Sequence, residues 1–165
     1  MSDVIAIPPI NETEVKHTPT VYFIDDSATM REVIKIAFRR ESIHVITCAD
    51  AASALAQFEE HPPDVVITDY AMGRMNGMDL IRECRRLNPR QKMILLSGTV
   101  DEHVFAEAPV KPDQFLTKPY QIHELAERIR SLLATIDEGK LAVMKTIKRA
   151  LDPKGLMNPG KVFNP

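Results

Sequence analysis

Five side chains in this 165-residue sequence have the types needed for phosphoryl chemistry. They are the carboxylates of Asp25, Asp26 and Asp69, the hydroxyl of Ser97 and the ammonium of Lys118. A carboxylate oxygen can attack phosphorus to form an acyl phosphate. Cations must then offset the negative charge of the transition state. The pattern therefore predicts a phosphoryl-accepting site, provided that one fold brings the five groups together.

Short apolar segments precede these side chains and are predicted to be buried strands, because they are too short for buried helices and rich in β-branched or aromatic residues. Segments with helical period separate them, which favours a parallel sheet covered by helices on both faces. Ligands of such sheets bind beyond the carboxyl ends of the strands, where the five groups are expected. The predicted strands are 21–24, 44–48, 65–68, 92–96 and 114–117.

The predicted fold class is α/β, a doubly wound five-stranded parallel sheet with an additional C-terminal helix. Ser27 and Asp50 are suited to cap the first two helices, and Pro109 and Pro112 restrict the fourth to a short one. A further amphipathic helix is expected at the C-terminus, with Leu141, Met144, Ile147 and Leu151 on one face. The predicted helices are 27–40, 50–60, 77–87, 101–108, 121–135 and 138–151.

Composition and length predict one domain, residues 19–136, between a flexible leader, 1–18, and an appended helix and tail, 137–165. Residues 1–136 carry 15 basic and 20 acidic side chains, so direct nucleic-acid binding is not expected. No segment is apolar enough to span a membrane, and a cytoplasmic location is expected. The two cysteines show no metal-ligand spacing and are expected to be buried apolar residues.

The five groups have complementary roles in the predicted site. Asp25 and Asp26 are suited to hold a hard divalent cation such as Mg²⁺. Lys118 adds a second positive charge, and Ser97 can donate a hydrogen bond to a phosphoryl oxygen. Each residue taken alone has a simpler explanation, as a helix cap, a turn residue or a solvated side chain. The combination at one predicted sheet edge favours the chemical role.

The sequence resembles the receiver domain of two-component response regulators over about residues 19–136. The resemblance implies the flavodoxin-like receiver fold. It equates Asp25 and Asp26 with the acidic pair, Asp69 with the phosphoacceptor and Ser97 with the switch hydroxyl. The remaining matches are the lysine and cis-proline pair, the switch aromatic and the glycine that opens the third helix, which correspond to Lys118-Pro119, Phe115 and Gly77.

This resemblance implies a signalling module rather than an enzyme. Asp69 would accept a phosphoryl group from a histidine kinase or phosphotransfer protein. Mg²⁺ would lie on Asp26, Asp69 and the backbone carbonyl of Ala71, with Asp25 acting partly through water. Contacts of the phosphoryl group with Ser97 and Lys118 would switch binding to a downstream protein partner, with a homodimer as one possible output.

Some segments depart from the family pattern. Met72-Gly73 replaces the usual Met-Pro, and residues 108–112 replace the usual end of the fourth helix, which affects the expected output surface. Residues 138–163 resemble the extreme C-terminus of FAD-linked oxidases, without support for flavin binding.

Two alternative functions remain open. One is a scaffold that works without phosphorylation. The other is an Mg²⁺-dependent phosphohydrolase with an aspartyl-phosphate intermediate. The second is weaker, because such hydrolases carry another aspartate two residues after the nucleophile, whereas Ala71 follows Asp69 and Ser27 follows Asp25 at that spacing.

Overall fold

The structure is a computed structural model that describes residues 17–98 and 102–151. Strands and helices alternate through this part of the chain, as expected from the apolar segments and the helical periods between them. The elements are β1 (Thr20–Ile24), α1 (Ala28–Phe38), β2 (His44–Cys48), α2 (Ala51–Ala56), β3 (Val65–Asp69), α3 (Gly77–Leu87), β4 (Lys92–Ser97), α4 (Glu102–Ala106), β5 (Gln114–Thr117) and α5 (Ile122–Leu151).

The five strands form one sheet in the order β2-β1-β3-β4-β5, and every pair is parallel. This is the doubly wound flavodoxin-like order, so the predicted fold class is confirmed. β3 lies at the centre and all five of its residues are buried. A strand covered on both faces needs apolar side chains on both, which is why β3 reads as a continuous apolar segment rather than an alternating one.

Alternate residues of the strands pack into two apolar cores, one on each face of the sheet. On one face, Tyr22 and Leu95 pack with Leu80 of α3. On the other face, Phe23 and Ile94 pack against side chains from α1 and α5. Burial on both faces holds the sheet edge that carries the acidic residues in place.

Polar side chains begin three of the helices. Ser27 accepts a hydrogen bond from the backbone N–H of Met30 at 3.3 Å, and Asp50 accepts one from that of Ser53 at 2.7 Å. Asn76 caps α3 in the same way. These side chains satisfy backbone donors that the first helical turn leaves unpaired. The predicted caps of α1 and α2 are confirmed, although both helices end earlier than expected.

The predicted additional C-terminal helix is not a separate element. α5 continues from Ile122 to Leu151 as one 30-residue helix. Gly139 lies near the expected boundary between helices 121–135 and 138–151, but a single glycine costs a helix only about 1 kcal/mol and no proline follows until residue 153. The boundary placed at 136/137 therefore does not coincide with a break in the helix. Whether residues 137–165 act as a separate unit stays a prediction.

Ile136 of α5 still packs against the core, but the described side chains after it are exposed to solvent. Ile147 is 53% exposed and Leu151 is 74% exposed. The predicted apolar face also included Leu141 and Met144, whose side chains lie outside the described residues. Most of the predicted leader and the oxidase-like tail beyond Leu151 also lie outside them.

Within residues 17–98 and 102–151, no helix combines the length and apolar character needed to cross a membrane.

Candidate functional site

The carboxyl ends of β1, β3, β4 and β5 bring the five predicted side chains to one edge of the sheet. Asp25 and Asp26 follow β1, while Asp69 and Ser97 are the last residues of β3 and β4. Lys118 follows β5 directly. Because these strands are hydrogen-bonded neighbours in parallel register, their ends lie side by side.

Three carboxylates form a compact cluster at this edge. Asp25, Asp26 and Asp69 each offer an oxygen atom, and these atoms all lie within 4.8 Å of one another. Asp25 is 1% exposed and Asp69 is 7% exposed, whereas Asp26 is open to solvent. The cluster therefore reaches from the interior of the sheet edge to its surface.

Lys118 forms ion pairs with both buried carboxylates. Its Nζ is 3.2 Å from Oδ1 of Asp69 and 3.5 Å from Oδ2 of Asp25. The peptide bond between Lys118 and Pro119 is cis, as the family resemblance implied. The three carboxylates and this one ammonium carry a formal charge of −2 when all four groups are ionised.

The environment raises the pKa of the Asp69 carboxyl group. Desolvation is the largest cause, and the ammonium of Lys118 acts in the opposite direction. The charges of Asp25 and Asp26 add to the increase. Ionised Asp69 thus lacks enough compensating positive charge in the protein alone. Carboxylate oxygens are the ligands that Mg²⁺ prefers, and a divalent cation would balance the residual charge. The residues present fit such an ion.

Hydrogen bonds between side chains and the backbone hold Asp25 and Asp26 in place. Oδ1 of Asp25 accepts a bond from the backbone N–H of Ser27 at 2.8 Å. Nη1 of Arg31 donates to the backbone carbonyls of Asp25 at 2.8 Å and Asp26 at 3.1 Å. Arg31 was not among the sequence-predicted site residues. Its position one turn into the helix that follows the acidic pair was the available signal.

Ser97 is buried at the same edge. Its backbone carbonyl accepts a hydrogen bond from the N–H of Lys118 at 2.9 Å. The pairing of β4 with β5 therefore ties the serine and the lysine together. Ala71 lies two residues after Asp69 and is exposed.

A row of three aromatic rings extends from the residue after Asp69 to β5. Tyr70 and Phe105 meet edge to face, with ring centroids 5.3 Å apart. Phe105 of α4 then contacts the predicted switch residue Phe115, with a centroid distance of 5.6 Å. Phe105 is buried although α4 has only five residues. Neither Tyr70 nor Phe105 was singled out in the sequence, because aromatic contacts between distant segments leave no local pattern.

Gly77 allows the loop after Asp69 to pack tightly. A Cβ atom at Gly77 would lie 2.5 Å from the backbone oxygen of Asp69 and 2.7 Å from Cδ1 of Leu95. The backbone N–H of Gly77 donates to the carbonyl of Tyr70 at 2.9 Å. The residue that opens α3 is therefore packed against the backbone of the central acid, where a side chain has no room.

The fold and site have the features of a receiver, and comparison with protein families agrees. Residues 21–130 match the family model of the response regulator receiver domain. The chain belongs to this family. Receiver domains bind Mg²⁺ at an acidic pocket, and the three clustered aspartates form such a pocket here.

Individual relatives support the same family. The chain is 30% identical to the probable transcriptional regulatory protein TcrX of Mycobacterium tuberculosis, over 86% of this chain and 63% of TcrX. It is 27% identical to the chemotaxis protein CheY of Bacillus subtilis, over 68% of this chain and 96% of CheY. The chain therefore spans less than two thirds of the length of TcrX.

Solved structures agree with the sequence relatives. The receiver domain of the Francisella response regulator 1452 has a TM-score of 0.66 and 28% identity, covering 72% of this chain and 98% of that one. A receiver domain protein from Clostridium thermocellum also has a TM-score of 0.66, with 29% identity and coverage of 75% and 98%.

A second family model, the C-terminal domain of FAD linked oxidases, matches residues 126–162. It overlaps the receiver match on α5, where Ile129 is buried in the receiver core. The short match does not show flavin binding or oxidation.

Proposed function

We propose that this receiver accepts a phosphoryl group on Asp69 from a histidine kinase or phosphotransfer protein, and that phosphorylation changes its contacts with a downstream protein. The main support is the position of the Asp69 carboxylate. It is largely buried, 3.2 Å from the Lys118 ammonium, and grouped with two further carboxylates. We also propose that the reaction takes place in the cytoplasm and involves no direct contact with nucleic acid.

In the proposed transfer, one Asp69 oxygen attacks the phosphorus of a phosphohistidine. The new oxygen–phosphorus bond forms as the phosphorus–nitrogen bond breaks, and the electron pair of the broken bond stays on the imidazole nitrogen. This nitrogen takes up a proton from solvent, so the imidazole leaves in its neutral form. Lys118 offsets the charge on the transferring group. A bound Mg²⁺ would supply the positive charge that one lysine does not, with Asp26, Asp69 and the Ala71 carbonyl as its protein ligands and Asp25 acting partly through water.

The proposed switch depends on contacts that exist only after phosphorylation. Ser97 would donate its hydroxyl hydrogen to a phosphoryl oxygen, and Lys118 would exchange part of its contact with Asp25 for one with the phosphoryl group. These differential contacts would shift the population between two arrangements of β4, α4 and β5. Phe115 would follow the shift, because its ring is in contact with Phe105 of α4.

Incubation with Mg²⁺ and acetyl phosphate, followed by intact-mass measurement, tests the acceptor assignment. The parent chain should gain one phosphoryl group and Asp69→Asn should gain none. Asp137→Asn is a matched control, because Asp137 is an exposed acid on α5 away from the cluster, and it should label like the parent. Labelling retained in Asp69→Asn would refute the assignment.

The same protein variants test whether phosphorylation changes assembly or partner binding. With beryllium fluoride as the phosphoryl analogue, sizing chromatography should reveal any change in assembly. Partner affinity that remains constant in the presence of an Asp69 adduct would instead support a scaffold that works without phosphorylation.

A further inference from the structure

A groove lies at the opposite edge of the sheet from the acidic cluster. It has a volume of about 760 Å³ and is formed by the amino ends of β3, β4 and β5 together with α5. Pro63, Pro89 and Ile136 supply apolar surface. Its charged lining comprises four cationic and two anionic side chains, a formal charge of +2, from Arg85, Arg90, Lys92, Lys140, Asp64 and Asp113.

Part of this charge is already paired within the wall of the groove. Nη2 of Arg85 is 2.8 Å from Oδ2 of Asp113, and Nζ of Lys92 is 3.7 Å from Oδ1 of the same residue. Arg90 and Lys140 are exposed and form no ion pair within residues 17–98 and 102–151. These two cations are therefore available to an acidic segment that enters the groove.

The N-terminal end of the described chain is fastened to the wall of this groove. Nε2 of His17 lies 3.2 Å from Oδ2 of Asp64, and the same oxygen accepts a hydrogen bond from the backbone N–H of Thr20 at 2.8 Å. The backbone N–H of Asp64 donates to the carbonyl of Thr20 at 2.7 Å. Residues 1–16 therefore join the described chain next to a groove-lining residue.

We propose that the groove binds residues 1–16 of this chain. Their sequence is complementary to it in two ways. Residues 4–10, Val-Ile-Ala-Ile-Pro-Pro-Ile, are apolar, and Glu12 and Glu14 carry charge opposite to that of Arg90 and Lys140. Position 10 lies seven chain steps before His17, which gives a reach of about 24 Å in an extended chain.

Covalent attachment favours this occupant over a separate molecule. A segment tethered at the rim has an effective concentration in the millimolar range for a short linker, so modest contacts suffice. The adjacent Pro8 and Pro9 lose little conformational entropy on binding, because proline is already restricted in the unbound chain. A second copy placed groove to groove would bring together two positively charged surfaces. The bound segment would support α5 at Ile136 and Lys140, where the helix leaves the core.

Paramagnetic relaxation in the full chain tests this proposal. A nitroxide attached to Val4→Cys should broaden the amide signals of Arg90 and Lys140 and leave those near Asp69 unchanged. The native thiols of Cys48 and Cys84 are buried and should remain unlabelled. Arg90→Glu combined with Lys140→Glu should reduce the broadening at both groove sites at least twofold.

Three controls distinguish the outcomes. Lys111→Glu changes an exposed cation outside the groove and should have no effect. Glu12→Lys combined with Glu14→Lys should restore the broadening in the double groove variant. Broadening that is absent, or insensitive to these charge changes, would overturn the proposal. Broadening between labelled and isotope-labelled molecules in a mixed sample would also overturn it, because the occupant would then be a second copy. None of these measurements depends on phosphorylation of Asp69.

Discussion

Replacement of Gly77 by alanine should have opposite effects on helix formation and on packing, and the structure indicates that packing dominates. Alanine favours a helix over glycine by about 1 kcal/mol. The new methyl group, however, would lie 2.5 Å from the backbone oxygen of Asp69 and 2.7 Å from a buried leucine side chain. Overpacking of a well-packed site typically costs about 1–3 kcal/mol. Because β3 is covered on both faces and cannot shift freely, a cost near the upper end is expected.

The net effect of Gly77→Ala should be a loss of about 2 kcal/mol in the free energy of unfolding. With a urea dependence of about 1–3 kcal/mol per molar, the unfolding midpoint should fall by roughly 1 M. Displacement of the Asp69 backbone should also slow labelling by acetyl phosphate. The measurements are urea unfolding followed by circular dichroism, and a time course of intact mass.

Gly73→Ala provides the matched control in the same loop. A Cβ atom at Gly73 would meet nothing within 4 Å, and its backbone does not require glycine. This variant should be as stable as the parent or more stable by about 0.4–1 kcal/mol, because alanine restricts the unfolded chain. A Gly77→Ala protein that is equally stable and labels normally would refute the packing argument.

Three further perturbations probe the site. Arg31→Ala should lower the free energy of unfolding by about 1–3 kcal/mol and weaken Mg²⁺ binding in calorimetry, because the hydrogen bonds to the carbonyls of Asp25 and Asp26 disappear. Arg39→Ala, at an exposed position, is the control, and an equal loss of stability in it would contradict this reasoning. Asp69→Asn should unfold at higher urea than the parent at pH 7, and the gain should vanish below pH 3.8, because the folded-state pKa of Asp69 is raised; a pH-independent gain would contradict the linkage. Phe105→Leu should preserve Asp69 labelling but reduce the response of the Phe115 ring signals to beryllium fluoride, and an unchanged response would exclude coupling through Phe105.

The sign of the Asp69 effect follows from its environment. A carboxyl group with a raised folded-state pKa binds protons more tightly in the folded protein than in the unfolded chain. Its ionisation therefore reduces stability as the pH rises through the interval between the ordinary and the raised pKa. Asparagine removes this cost above the interval. Below it, both proteins carry an uncharged side chain at position 69, so the difference disappears.

Sequence alone was sufficient for the sheet and for the clustering of the site residues. Strands buried on both faces must be continuously apolar, so β3 and β4 were visible in the residue order. Parallel pairing then required their carboxyl ends to meet at one edge, which brought Asp69 and Ser97 to the same place. The chemical types of these end residues and of Lys118 indicated phosphoryl transfer, because each type suits a different part of that reaction.

Tertiary structure decided the features that depend on contacts between distant segments. The ring contact of Phe105 with Tyr70 and Phe115 has no local sequence pattern, because three separate elements contribute one ring each. The length of α5 was also misjudged, since a single glycine weakens a helix without ending it. The groove at the amino ends of the strands is likewise lined by distant segments, with Gly139 and Lys140 of α5 beside Arg90 and Asp113. Local patterning determines which elements form and where their ends lie, whereas the packing of those elements determines which side chains touch.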